Sequence, residues 1–160
     1  MNIRHAKTQD TEKIRKIAME TWIDKYSQII TKDSIEKIVD NWYDLEDLNQ
    51  QVQDKIFYIS EIKETPVGFI HASVRNNRAH LHRLYIQPKY QGQGLGSKLY
   101  KKAEKQVKKQ KADYIELEVL SENKKGLSFY KSLGFEEKEQ KQVKLNGDTL
   151  KEKVLTKELK

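Results

Sequence analysis

One segment combines the end of a strand, a glycine-rich loop and the start of a helix: Tyr85-Ile86-Gln87-Pro88-Lys89-Tyr90-Gln91-Gly92-Gln93-Gly94-Leu95-Gly96-Ser97. The first backbone N–H groups of a helix have no partner inside it, and together with the helix dipole they attract anions. Glycines in such a loop let a ligand approach the backbone closely. The segment therefore predicts an anion site of pyrophosphate size.

Two better-known phosphate loops fit this segment less well. A nucleoside-triphosphate loop needs Gly-Lys-Ser/Thr, whereas the order here is Gly96-Ser97-Lys98. A dinucleotide-binding fold needs Gly-x-Gly-x-x-Gly directly after its first strand, whereas Pro88 separates this loop from its strand. Glycine spacing alone also leaves open an ordinary strand-to-helix turn.

The flanking residues predict alternating strands and helices around this loop. Before it, period-2 patterns and turn residues predict strands over 3–6, 56–59, 67–75 and 79–86, with helices between the first two. Thr8 or Asp10 is expected to cap the first helix, and Thr31 or Asp33 the second, whose apolar stripe ends at Trp42. After the loop we expect a helix over about 95–110, a strand over 114–119, a helix over 124–133 and a hairpin over 135–159 around Asn146-Gly147.

This order of elements predicts an α/β (α+β) fold with a mixed, mostly antiparallel sheet flanked by helices. The stripe Leu95, Leu99, Ala103 and Val107 is expected to pack the long helix on that sheet. Neither a repeat nor a low-complexity linker interrupts the chain, so one domain is expected over residues 1–160.

Composition excludes several classes of site. The sequence has no cysteine, which rules out disulfides, zinc–thiolate sites and cysteine nucleophiles, and no metal site is expected. No apolar run approaches the ~20 residues that span a membrane, and the first residues lack a signal-peptide core. A cytoplasmic protein without membrane contact is the expectation.

Charge is distributed unevenly along the chain. Residues 1–60 hold nine basic and eleven acidic side chains, and residues 61–160 hold 22 and 13. The second part is therefore expected to bind an anion, and the first part a cation. Seven lysines lie between Lys98 and Lys111, but without a nucleic-acid-binding signature a solvated helix face explains them more simply.

Two motifs in the right order carry a family resemblance. Gln91-x-x-Gly94-x-Gly96 resembles the Gln/Arg-x-x-Gly-x-Gly/Ala signature of the GNAT superfamily of N-acetyltransferases, and Leu84 to Pro88 resembles its lead-in. Further on, Asn123 followed by Phe129-Tyr130-Lys131-Ser132-Leu133-Gly134-Phe135 is similar to that family's second landmark. The resemblance is strongest over 67–135 and weak over 1–60. It implies acetyl transfer from acetyl-CoA to a primary amine.

The same resemblance assigns a cofactor site. In such proteins the strand before the glycine loop and the strand after the long helix splay apart, and the pantetheine arm of coenzyme A adds to the sheet between them. The implied cofactor contacts are the backbone of Leu84, Tyr85 and Ile86, the pyrophosphate loop of Gln91, Gly92, Gln93, Gly94, Leu95, Gly96 and Ser97, and the side chain of Asn123.

The resemblance also suggests catalytic residues, and each of them has an alternative role. Tyr130 occupies the tyrosine position of the family's general acid, although a core aromatic next to Phe129 is the alternative. Some polyamine-type relatives have a glutamate where this sequence has His82, so His82 is a candidate base and a structural histidine is the alternative. Glu118 is a second candidate base, and a water chain is a third.

The acceptor is predicted to be a small cationic amine. Residues 33–54 contain seven acids against the single base Lys37, and such proteins build their acceptor wall from this region. Trp22, Tyr26, Trp42 and Tyr43 could offer aromatic faces to an alkylammonium. Alternatives are a protein or peptide N-acetyltransferase, a coenzyme A-binding sensor without activity and a nucleic-acid-binding module. A homodimer is an expectation at the level of the family.

Overall fold

A seven-stranded sheet runs through the part of the chain that the computed structural model describes, residues 1–159. Its spatial order is β1-β2-β3-β4-β5-β7-β6, and every neighbouring pair is antiparallel except the parallel pair β4–β5. The mixed, mostly antiparallel sheet is thereby confirmed. The strands are β1 (Asn2–His5), β2 (Ile56–Ile62), β3 (Thr65–Arg75), β4 (Arg78–Ile86), β5 (Tyr114–Leu120), β6 (Glu136–Leu145) and β7 (Asp148–Glu158).

Five α-helices flank this sheet in the described residues: α1 (Thr11–Tyr26), α2 (Lys32–Trp42), α3 (Leu45–Gln51), α4 (Leu95–Lys109) and α5 (Lys124–Ser132). The hydroxyl of Thr31 accepts a hydrogen bond from the Ser34 amide at 3.1 Å, so Thr31 caps α2 as predicted. For α1 the predicted N-cap position is confirmed at Asp10, but a side-chain cap does not form there. Asp10 stands at that N-cap without capping, because its carboxylate binds Arg4 at 2.8 Å and the Lys7 amide instead.

The two faces of the sheet carry separate apolar cores. On one face, α4 buries its predicted stripe Leu95, Leu99, Ala103 and Val107 against the strands. On the other face, α1, α2 and α3 pack their apolar side chains on Phe57, Ile59 and Phe69. Each fully buried aliphatic or Phe side chain stabilises the fold by about 1.5–3 kcal/mol relative to exposure.

Trp42 departs from the predicted stripe of α2. Its side chain is 44% exposed, whereas that of Tyr43 is 1% exposed. The helix ends at Trp42, and Tyr43 leaves helical geometry at φ −122° and ψ 35°, which turns its ring into the core. The core position expected for Trp42 is therefore filled by its neighbour, and Trp42 is left at the surface.

Strands β4 and β5 pair over a short distance only. Their ladder consists of Arg78–Tyr114, Ala79–Ile115 and His80–Glu116, and within residues 1–159 it goes no further. On its other side β4 stays paired with β3, but with a bulge: Arg83 lies opposite His71 and Leu81 opposite Ala72, so His82 is the extra residue. The two strands consequently diverge beyond His80 and leave an opening in the sheet.

None of the helices in residues 1–159 is long and apolar enough to cross a membrane. The expectation of one domain over residues 1–160 stays a prediction, and residue 160 lies outside the described part of the chain.

Candidate active site

A cleft of about 680 Å³ occupies the opening between β4 and β5. It brings together the three predicted catalytic residues, Tyr130, His82 and Glu118. Most of the predicted cofactor residues also line it, namely Leu84, Tyr85, Ile86, Gln91, Gly92, Gly94, Leu95, Gly96, Ser97 and Asn123. Gln93 belongs to the same loop but is not among the lining residues.

The glycine loop forms one end of the cleft. Gly92 and Gly94 have φ values of +80° and +81°, a conformation that residues with a Cβ rarely adopt, and Gly94 is the N-cap of α4. Gly96 lies in helical geometry next to Phe129, where an added Cβ would come within 3.4 Å of the ring, close to ordinary van der Waals contact. The Gln91 side chain donates to the Ile86 carbonyl at 2.9 Å and holds the loop against the end of β4. The N-terminus of α4 thus borders the cleft, and such helix ends attract anions.

The start of α5 also borders the cleft. Asn123 caps this helix by accepting a hydrogen bond from the Gly126 amide at 2.9 Å, and its side chain still borders the cleft. Two lysines that the sequence did not single out, Lys25 and Lys125, also line this end. Burial, and then repulsion from Lys125, lowers the pKa of Lys25, which a bound anion would relieve.

Tyr130 is 8% exposed, and it lies against the rings of Phe129 and Phe135. Burial, and then the neighbouring Tyr85 and Tyr26, raises the pKa of Tyr130, so its hydroxyl keeps its proton at neutral pH. Tyr130 is therefore a core aromatic that also borders the cleft with its hydroxyl protonated. The two interpretations offered by the sequence are compatible.

The hydroxyl of a second cleft-lining tyrosine, Tyr85, accepts two hydrogen bonds. Trp22 Nε1 donates to the Tyr85 hydroxyl at 3.1 Å, and the Tyr43 hydroxyl donates to it at 3.0 Å. Because both acceptor positions of Tyr85 are then taken, its own O–H can only donate elsewhere. Sequence reasoning assigned Tyr85 a backbone role and gave no signal for this network.

His82 lies at the bulge of β4, and both of its ring nitrogens are engaged. Nε2 is 2.7 Å from the Ser73 hydroxyl, and Nδ1 is 2.8 Å from Nδ1 of His80. Partial burial, and then the charges of His71, His80 and Arg83, lower the pKa of His82 to about 3. His82 is thus neutral at physiological pH, and neither nitrogen is free to contact a substrate directly in this arrangement.

Glu118 reaches the same cluster from β5. Its carboxylate lies 2.8 Å from Nε2 of His80, and this hydrogen bond is the main reason that the pKa of Glu118 is lowered. His80 therefore joins the two candidate bases, although sequence reasoning overlooked it. The signal that could have identified His80 is its spacing of two residues from His82, which places both side chains on one face of a regular strand. The bulge after His80 disturbs that alternation.

The acidic residues of 33–54 are not among those that line the cleft. Several are used elsewhere: Asp40 pairs with Arg15, Asp54 binds His71 at 2.9 Å, and Asp44 caps α3. The carboxylates at the cleft are those of Glu118 and Glu152.

Three of the four predicted aromatic side chains, Trp22, Tyr26 and Trp42, do border the cleft, whereas Tyr43 lies behind Tyr85. Across residues 1–159, no group of three or more His, Asp or Glu side chains could hold a metal ion.

Comparison with protein families and curated sequences gives consistent matches. Residues 12–135 match the model of the acetyltransferase (GNAT) family. The spermidine N(1)-acetyltransferase of Thermoplasma acidophilum is 32% identical over 141 residues, which cover 84% of this chain and 88% of that enzyme. An uncharacterized N-acetyltransferase of Methanocaldococcus jannaschii is 37% identical over 90 residues, 52% of this chain; the match spans 40% of that protein's length.

Solved structures of N-acetyltransferases have a similar fold. The crystal structure of the PaiA N-acetyltransferase from Thermoplasma acidophilum in complex with coenzyme A superposes with a TM-score of 0.87 and 28% identity, over 98% of both chains. A ribosomal-protein-alanine N-acetyltransferase from Brucella melitensis has a TM-score of 0.79 at 19% identity, over 99% of this chain and 100% of that one, which is a likeness of fold alone.

Proposed function

The chain belongs to the acetyltransferase (GNAT) family, and from that premise we propose that it transfers the acetyl group of acetyl-CoA to a primary amine of a small, polyamine-like acceptor. The observation that carries the proposal is the cleft between β4 and β5, which is lined by the glycine loop and the N-terminus of α4 and also by aromatic and carboxylate side chains. The spermidine acetyltransferase of Thermoplasma acidophilum, matched over 88% of its length, supports the acceptor class.

Acetyl-CoA fits the cleft through chemistry already present in the chain. The pyrophosphate would bind the N–H groups at the start of α4, where Gly92 and Gly94 leave the loop open. The pantetheine arm would add to the free edge of β4 beyond His80 as a strand is added to a sheet. Lys25 and Lys125 would contribute positive charge at the mouth, and Asn123 a polar contact.

The reaction is a direct attack of the neutral amine on the thioester carbonyl. A nitrogen–carbon bond forms and the carbon–sulfur bond breaks, while the attacking nitrogen loses one N–H proton and the thiolate takes up one proton. Tyr130, which borders the cleft and keeps its hydroxyl protonated, would supply that proton. A backbone N–H near Ile86 would polarise the carbonyl, and the amine must lose its own proton first.

The acceptor would lie against Trp22, Tyr26 and Trp42, with its charge near Glu118 and Glu152. An alkylammonium gains about 0.5–2 kcal/mol from the face of an aromatic ring, depending on how far it is desolvated. A polyamine offers several such charges along an apolar chain, so it matches this mixture of rings and carboxylates.

The test is a thiol-release assay with acetyl-CoA and a matched amine panel: spermidine, a diamine, a monoamine, free lysine and a peptide with a free N-terminus. We expect the polyamines to give the highest kcat/KM and an acetylated product by mass spectrometry. Preference for the peptide would favour the protein-acetylating alternative. Binding of acetyl-CoA without turnover of any amine would leave only a binding module.

A salt series locates the acceptor's charge partners. The apparent KM for a polyamine should rise with ionic strength, because the screening length falls from about 10 Å at 0.1 M to about 3 Å at 1 M. Glu152→Gln should weaken that dependence. Joint neutralisation of Asp44, Glu46 and Asp47 should change it little, since they do not line the cleft. If the triple neutralisation weakens the salt dependence and Glu152→Gln does not, the acceptor would bind along residues 33–54 instead. Homodimerisation and a cytoplasmic location stay predictions.

A further inference from the structure

A second, smaller cavity of about 200 Å³ lies beside the cleft. The side chains of Tyr26, at the end of α1, and Leu120, at the end of β5, line both cavities, so the two are direct neighbours. The other lining residues come from the connection between α1 and α2, the turn after β5 and the start of β7: Ile29, Ile30, Ser121, Glu122, Thr149, Leu150 and Lys151. None of them lines the cleft itself, so the second cavity is a separate space next to the proposed acceptor site.

The size and the apolar side chains of this cavity match a short alkyl chain. A water molecule takes about 30 Å³ of liquid, so the cavity holds about seven groups of that size, and an aminobutyl arm has four carbons and one nitrogen. Ile29, Ile30 and Leu150 supply the apolar part of the lining, and Ile29 is 43% exposed. Methylene groups in the cavity would cover part of that exposed apolar surface, which is favourable.

One carboxylate that lines the second cavity has no charged partner. Glu122 follows β5 and is exposed, and it forms no salt bridge with any residue in 1–159. Lys151 also lines the cavity, and its ammonium is likewise without a salt bridge in that part of the chain. The cavity therefore has one negative and one positive group, and an experiment must establish which of them binds the ligand.

Glu122 continues a line of carboxylates that begins in the cleft. Glu118 and Leu120 lie on the same face of β5, because side chains two residues apart do, and Glu152 of β7 is directly opposite Leu120. Glu122 is four residues beyond Glu118 in sequence, so their backbones are at most ~14 Å apart. The terminal nitrogens of spermidine are nine bonds apart, about 11 Å when the chain is extended. An acceptor of that length can have one nitrogen near Glu118 and the other near Glu122.

We propose, on the basis of the proposed function, that the second cavity binds the distal end of the acceptor. The reacting amine lies in the cleft near Glu118 and Glu152. The chain of the acceptor passes Tyr26 and Leu120, and the distal ammonium binds the Glu122 carboxylate. The acceptor class is thereby narrowed to amines with a second cation about 11 Å from the reacting nitrogen. Glu122 determines specificity and takes no part in the acetyl transfer.

Amines of different length test this assignment. 1,8-Diaminooctane has the same nine bonds between its nitrogens as spermidine, 1,3-diaminopropane spans only about 5 Å, and octylamine lacks the distal charge. Glu122→Gln should lower kcat/KM for 1,8-diaminooctane and spermidine by about 2- to 5-fold, the range for an exposed ion pair, and leave the other two amines unchanged. Lys151→Gln should not lower kcat/KM for any of them, because it removes a positive charge that repels the distal ammonium.

Glu136→Gln is the matched control. It removes the same charge from an exposed residue of β6 that lines neither cavity, and it should leave kcat/KM unchanged for all four amines. Wild-type kinetics in Glu122→Gln, or an equal loss for the short and the long diamine, would overturn the proposal. A loss in Lys151→Gln in place of Glu122→Gln would also overturn it, because the cavity would then bind an anionic group.

A binding measurement separates the second cavity from the proposed function. Calorimetric titration of spermidine into protein saturated with coenzyme A involves no acetyl transfer. The Kd should be about 2- to 5-fold higher in Glu122→Gln than in the wild type and Glu136→Gln. A wild-type protein that acetylates no amine would refute the proposed function, and these constants would still decide whether the second cavity binds an ammonium. Equal constants in the three proteins, or no binding of spermidine, would refute that role.

Discussion

Replacing Gly94 by alanine should weaken acetyl-CoA binding through backbone strain alone. Gly94 has a φ of +81°, and an added Cβ would meet nothing within 4 Å, so no clash with the protein contributes. An L-residue in the left-handed region costs about 1–2 kcal/mol. If the loop relaxes to avoid this cost, acetyl-CoA must restore the strained form to bind. The dissociation constant should then rise by about 5- to 30-fold.

Gly147 provides the matched control. It has a φ of +87°, an added Cβ would also meet nothing within 4 Å, and it lies in the turn between β6 and β7, outside the cleft. Gly147→Ala should therefore lower the free energy of unfolding by a similar 1–2 kcal/mol, as measured in urea, without changing affinity. Calorimetric titration of acetyl-CoA into both variants measures the difference. Equal affinities in two equally destabilised variants would remove the loop from the cofactor site.

Three further substitutions test other parts of the cleft and fold. Tyr130→Phe deletes only the hydroxyl and should lower kcat by roughly 10²- to 10⁴-fold in steady-state assays; a wild-type rate would make Tyr130 a packing residue. Trp42→Leu should raise KM for a cationic acceptor by about 2- to 5-fold, given 0.5–1 kcal/mol for an exposed cation–π contact, and an equal rise in KM for acetyl-CoA would contradict this role. Burial opposes ionisation of Glu104, but hydrogen bonds from Lys157 and Lys108 outweigh it and lower its pKa from 4.5 to about 2. These interactions therefore stabilise the fold above pH 4.5 and are lost toward pH 2. Glu104→Gln should lower the free energy of unfolding in urea at pH 7, and lower it much less at pH 2. Equal losses of stability at the two pH values would refute a contribution from the ionised carboxylate.

The fold could be predicted from the sequence because its local signals agree with one another. The α4 stripe, the Thr31 cap and the Asn146-Gly147 turn each depend on nearby residues, and each forms as expected. Trp42 shows what such local signals cannot predict. A helical stripe continues to Trp42, but whether Trp42 or Tyr43 enters the core depends on how the chain leaves the helix, and that is set by tertiary packing.

The site could be predicted in part for the same reason. The glycine loop and Tyr130 lie in contiguous motifs, whereas the hydrogen bonds from Ser73 through the two histidines to Glu118 join β3, β4 and β5. His82 and Glu118 were separate candidates, and only the bulge in β4 and its short pairing with β5 reveal that His80 connects them. The acidic side chains of residues 33–54 misled the sequence analysis in another way. Their number suggested a wall that binds the acceptor, but several of them bind partners within the protein, such as Arg15 and His71.

The three-pair ladder between β4 and β5 also has a mechanical consequence. It is the only strand pairing between β1–β4 and β5–β7 in the described sheet, whereas β3–β4 and β5–β7 pair along most of their lengths. A pulling force applied across the sheet would therefore meet its weakest seam at Arg78 to His80. A pantetheine arm bonded to the free edge of β4 would bridge that seam, so acetyl-CoA should increase the force needed to separate the two parts in an optical trap. In this sense the co-substrate would bear part of the mechanical load across the sheet to which it binds.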